Sequence, residues 1–235
     1  MWWTRRVQSL QRVFQTQQYV RGRDVPRHAV RYEHGSRSMS GDVFVPGVSA
    51  PSGGKVKGFT LPVAKSLREV VKLPLMEKAS AGEIKQIWSE HYKQHQTAMG
   101  DVLTPAELDA LRANAVKYPM FVYPIKQSDR DGFYTLFAQW QGDHCFMTFL
   151  EEYKADPAAA QPWFILSLYP ELVKTKMIAL MRGEVFLKQM TLNEGKHVMK
   201  LARKFYLGDR AHVDLLHQFN RDSKHFSFDE LARKC

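Results

Sequence analysis

Apolar residues recur every three or four positions in some stretches of the chain and every second position in others, and the change of period divides it into elements. Ser80 and Glu83 stand at capping-box spacing, and Ile84, Ile87 and Trp88 follow on one face. This spacing predicts a helix over residues 81–96. Thr104, Pro105 and Glu107 repeat the device ahead of Leu108 and Leu111, with the proline pre-set for the first helical position, and predict a second helix. Farther along, the period shortens. Residues 120–125, 133–140 and 144–149 are short, aromatic and β-branched runs, and Gln141-Gly142-Asp143 is a turn that joins the last two as a hairpin. Residues 163–169 and 177–186 read as further strands, with 170–176 as a short helical crossing. Thr191 and Glu194 form another capping box before Val198, Leu201, Ala202 and Phe205, and helices close the chain, the last starting at Ser227. Helices, then hairpin-linked strands, then helices predict an α+β fold: a single domain with a largely antiparallel sheet packed with helices.

The hairpin departs from the usual alternation. Phe133, Thr135 and Phe137 point one way, while Tyr134, Leu136, Ala138 and Trp140 point the other, so both faces are apolar. A sheet with one wet face alternates apolar and polar residues. Either helices cover both faces, or one face is a docking patch for a partner.

Composition supports one core: 235 residues, 44% hydrophobic and 25% charged. No apolar run approaches the roughly 18 to 20 residues that span a bilayer, so a soluble protein without stable membrane insertion is expected. Cys145 and Cys235 are the only cysteines and no N-glycosylation sequon occurs, which argues against an oxidising, secreted setting. The net charge of +10 is concentrated at one end, because residues 1–40 carry eight arginines against Asp24 and Glu33. Trp3, Val7, Leu10 and Phe14 share a helical face opposite Arg5 and Arg12, the composition of a mitochondrial transit peptide; a basic tail for nucleic acid or lipid headgroups has the same features. Residues 41–62 are dense in Gly, Ser and Pro and read as a flexible linker, so the segment before the domain is expected to be disordered. The folded domain then spans 63–235.

The chemical motifs are incomplete. Gly53-Gly54-Lys55 has Ser49 where a phosphate loop needs its first glycine and Val56 where it needs Ser or Thr. His91 and His95 stand four apart, but Tyr92 occupies the position of the zincin glutamate and no third ligand is recognisable. Cys145 adjoins His144, yet neighbours on a strand point to opposite faces, so the imidazole is badly placed to take the thiol proton. No catalytic constellation, metal set or cofactor motif emerges.

Several blocks carry a resemblance: VYPIK (122–126), FAQWQGDHC (137–145), LEEYK (150–154) and LMRGEV (180–185), with IKQIW (84–88) after KLPLMEK. Together they resemble the mitochondrial ATP synthase F1 complex assembly factor 1 family, over residues 66–206. The resemblance implies a mitochondrial matrix chaperone, not an enzyme. It would bind the unassembled β subunit of F1-ATPase, keep it from aggregating and yield to the α subunit. It implies no cofactor, no nucleic acid and a monomer. Phe121, Tyr123, Trp140 and Arg182 lie in or beside the matching blocks, and with Tyr134 and Phe137 of the doubly apolar strand they are the candidate partner-binding residues, for either client contact or core. Two other classes stay open: a mitochondrial nucleic-acid-binding protein, although only +4 lies beyond residue 40, and a cysteine hydrolase using Cys145.

Overall fold

The three longest helices start with the same reciprocal device. In the computed structural model, which describes residues 63–126, 132–186 and 189–235, Ser80, Thr104 and Thr191 each accept from the backbone N–H of the glutamate three residues on. Those glutamates accept in return from the cap N–H, at 2.7 to 2.8 Å. Two free donors are thereby satisfied at each start. The expected targeting segment and linker lie outside the described residues.

The helices are α1 (Leu67–Val70), α2 (Leu73–Lys78), α3 (Ala81–Lys93), α4 (Pro105–Lys117), α5 (Leu150–Ala155), α6 (Val173–Lys176), α7 (Leu192–Leu207), α8 (Arg210–Arg221) and α9 (Phe228–Lys234). The strands are β1 (Ala98–Leu103), β2 (Met120–Lys126), β3 (Phe133–Gln141), β4 (His144–Phe149), β5 (Pro162–Tyr169) and β6 (Ala179–Val185). They form one antiparallel sheet in the order β1-β6-β5-β4-β3-β2. The α+β fold expected from the pattern is therefore present, with every strand pair antiparallel.

The main departures from expectation are two boundaries and one added strand. The first capped helix stops at Lys93 rather than residue 96, and β1 starts at Ala98. That strand has no sequence signature, because Ala-Met-Gly-Asp-Val-Leu contains two poor strand formers. Finally, β6 starts at Ala179 rather than 177, because Met177 adopts a left-handed φ of 56° that closes α6.

Register sorts the side chains onto two faces. Phe121 pairs with Ala138, Tyr123 with Leu136, Trp140 with Cys145 and Ala138 with Met147, which places all of them on one face. Helices α7 and α8 cover it through Phe205 and Phe219, whose rings lie 5.0 and 5.6 Å from Phe121, and Tyr206, 5.5 Å from Trp140. The opposite face is covered in two pieces. Ile84, Trp88 and Tyr92 of α3 pack with Leu67, Leu73, Tyr169 and Leu180 in a separate smaller core, while Tyr153 of α5 sits 4.5 Å from Phe137. Of the two readings of the hairpin, coverage by helices on both faces is what the fold adopts.

Candidate functional site

Five of the six candidate partner-binding residues are interior. Phe121, Tyr123, Phe137, Trp140 and Arg182 are each at most 8% exposed, and Tyr134 is half-buried with its ring 5.5 Å from Trp163. As folded, those five lie in the core.

Cys145 is fully buried on the α7 side, and burial pushes its thiol up, away from the thiolate. His144 projects to the other face, with Nδ1 3.0 Å from Ser167 Oγ. Thiol and imidazole are thus not a nucleophile–base pair in this arrangement. Among the described residues, no group of three His, Cys, Asp or Glu side chains could hold a metal ion, and no helix is long and apolar enough to cross a membrane.

Arg182 is the exception in kind, since it is a buried charge. Its Nη1 donates to Glu184 Oε2 at 2.7 Å and its Nε to the Tyr92 hydroxyl at 3.1 Å. Lys65 Nζ donates to the other Glu184 oxygen at 2.9 Å, and the Tyr169 hydroxyl donates to the Lys65 carbonyl at 2.8 Å. Burial alone would push the Glu184 carboxyl up, but the hydrogen bonds from Arg182 and Lys65 overcome it and hold the group at about 2. Burial pushes the Tyr92 hydroxyl up to about 12. The network ties α3 and the chain before α1 to β6, so its geometry is that of a fastening.

Sheet edges also leave backbone unpaired. In an antiparallel ladder, alternate residues of an edge strand direct N–H and C=O away from the sheet. On β1 the Val185 N–H donates to the Thr97 carbonyl, so Thr97, Met99 and Asp101 face inward while Ala98, Gly100 and Val102 face out. His95 Nδ1 accepts from Ala98 N at 3.0 Å, Asp101 Oδ1 accepts from Val102 N at 2.8 Å, and Arg203 donates to the Val102 carbonyl at 3.4 Å. Side chains thus cap the Ala98 N–H at one end of this edge and both groups of Val102 at the other. Gly100, between them, has no such cap among the described residues. A Cβ there would sit 2.5 Å from Trp88 Nε1 and closer still to the Tyr92 ring, so glycine is what lets α3 press on the strand.

A groove of about 330 Å³ opens over Gly100, walled by α3 and α7. Its charged lining is Lys93, Lys196, Lys200, Arg203 and Asp101. Arg203 is engaged by Asp101 at 2.9 Å and Glu107 at 2.6 Å, and Lys93 leans on Glu90 at 3.7 Å. Lys196 and Lys200, one turn apart on α7 and exposed, have no carboxylate within ion-pair distance among the described residues. His197 beside them is held below its ordinary value, first by burial and then by repulsion from Lys200 and Lys204. Sequence reasoning missed this site because β1 carries no strand pattern and the lysines lie about a hundred residues away; the one local signal was His95, three residues before the strand it caps.

A model of the family described as ATP11 protein matches residues 47–232. The chain is 29% identical over 173 residues to the ATP synthase mitochondrial F1 complex assembly factor 1 of Mus musculus, covering 73% of this chain and 52% of that protein. To the Homo sapiens protein of the same name it is 27% identical over 173 residues, 73% of this chain and 51% of that one. To Protein atp11, mitochondrial, of Schizosaccharomyces pombe it is 31% identical over 108 residues, 43% and 37% of the two chains. The chain spans about half the length of the two mammalian relatives it matches.

Proposed function

This chain belongs to the ATP11 protein family, and on that premise we propose that it is a mitochondrial assembly factor of F1-ATPase that binds the unassembled β subunit until the α subunit replaces it. The family match over residues 47–232 is the observation that carries this reading, and the names of the mammalian relatives supply the complex. In this reading residues 1–40 direct the protein to the matrix, 41–62 link, and the domain from residue 63 works there as a monomer without a cofactor.

The physical task suits the fold. A client about to be assembled exposes a large surface that must be covered and then released, which calls for shaped area and moderate affinity rather than turnover. With both sheet faces already covered, contact falls to the outer surfaces of helices and to the strand edge. Phe121, Tyr123, Phe137 and Trp140 then serve the client by holding those helices in place.

The test is light scattering from denatured β subunit diluted into buffer with the purified full chain, without nucleotide. Suppression near an equimolar ratio, stronger for β than for α subunit, is expected. Equal scattering with and without the chain overturns the reading.

A further inference from the structure

We propose that the groove between α3 and α7 takes a short, extended, acidic peptide segment of another protein, which pairs with Gly100 as an added strand on β1. This goes beyond the assembly role and does not depend on which protein supplies the segment.

Two independent features define the occupant. The first is backbone: Gly100 turns both its N–H and its C=O into the groove, a donor and an acceptor on one residue. A peptide strand presents the complementary acceptor and donor at strand spacing, whereas a phosphate offers acceptors only. The second is charge. Lys196 and Lys200 stand one turn apart without acidic partners, so the wall above the open backbone is positive and favours carboxylates.

The caps set the length. Because His95 occupies Ala98 N and Asp101 and Arg203 occupy Val102, an incoming strand gains the two bonds of Gly100, with the Ala98 carbonyl beside them, and no continuous ladder. Binding is therefore short-lived and salt-sensitive, and the edge does not template sheet growth. Residues 1–40 of this chain carry six more positive than negative charges, so the groove repels them.

The experiment uses the full chain and a fluorescein-labelled peptide of alternating valine and glutamate, read by anisotropy and by amide exchange at Gly100. We expect saturable binding that weakens with salt, slowed exchange at Gly100, and about tenfold or greater loss of affinity in the double variant Lys196→Glu/Lys200→Glu, whose exposed positions leave the fold intact by circular dichroism. The valine–lysine peptide is expected not to bind, and backbone N-methylation of the acidic peptide to abolish the protection of Gly100. Binding that survives N-methylation unchanged is plain charge attraction and overturns the proposal. So does tighter binding of a single-stranded RNA without protection of Gly100, which makes the groove a nucleic-acid site. Peptide-independent dimerisation that protects Gly100 assigns the edge to a second copy and equally overturns it.

Discussion

The two ends of the sheet are finished by different means. At β2 the outward groups of Met120 are clamped by one side chain of α8: Asn220 Nδ2 donates to the Met120 carbonyl at 2.6 Å, and Met120 N donates to Asn220 Oδ1 at 3.3 Å. Val122, the next outward residue, is fully buried, and Pro124 after it has no N–H to offer. At β1 the caps come from half-exposed side chains, and the middle residue opens on a groove. An edge closed by a core asparagine and a proline is closed for the life of the fold. One flanked by a histidine and a surface ion pair leaves its middle residue open.

That contrast can be broken from behind β1, where the largest effect is expected. Arg182 lies directly across from Gly100 in the register, and Arg182→Met leaves Glu184 buried with only Lys65, which is expected to cost about 3 to 5 kcal/mol in urea denaturation. The pH dependence follows from the same pair. Glu184 has its folded value lowered from 4.5 to about 2, so its contribution of about 3 kcal/mol is fully present above pH 4.5 and is lost as pH falls through about 2. Denaturation midpoints measured between pH 5 and 2 are expected to fall more in the wild type than in Glu184→Gln. The opposite edge is tested by Asn220→Leu, which strands the Met120 groups and is expected to cost about 2 kcal/mol, with faster amide exchange at Met120 and none of this at Gly100. Cys145→Ala, a small volume change in the shared core, is expected to cost about 1 kcal/mol by the same assay and leave the suppression of β-subunit aggregation unchanged.

Local chemistry made much of this fold readable. The capping boxes at Ser80, Thr104 and Thr191 place α3, α4 and α7, and the aromatic runs place β2 to β5, because both signals are written in neighbouring residues. What Phe121, Tyr123, Phe137 and Trp140 do was not readable, since a strand buried on both faces and a strand with one docking face have the same composition. The deciding facts are the positions of Phe205, Tyr206 and Tyr153, which belong to other elements. Strand β1 was invisible for a related reason: its glycine is required by Trp88 and Tyr92 pressing from α3, and its partner β6 lies about eighty residues away. Even His95, singled out as half of a histidine pair, proves to accept from Thr97 N and Ala98 N, a role defined by a strand the pattern did not announce.

Mechanically, Lys65 is where tension on the preceding chain enters the domain. A pull arriving there meets the Lys65–Glu184 pair at 2.9 Å and the Tyr169–Lys65 hydrogen bond at 2.8 Å, which pass it to β6 and β5 before it reaches α1. Beyond them stands the smaller core of Leu67, Leu73, Ile84 and Trp88, which forms a cluster separate from the one beneath α7 and α8. Force from that side is therefore expected to strip α1, α2 and α3 with their smaller core before it disturbs the larger core beneath α7 and α8.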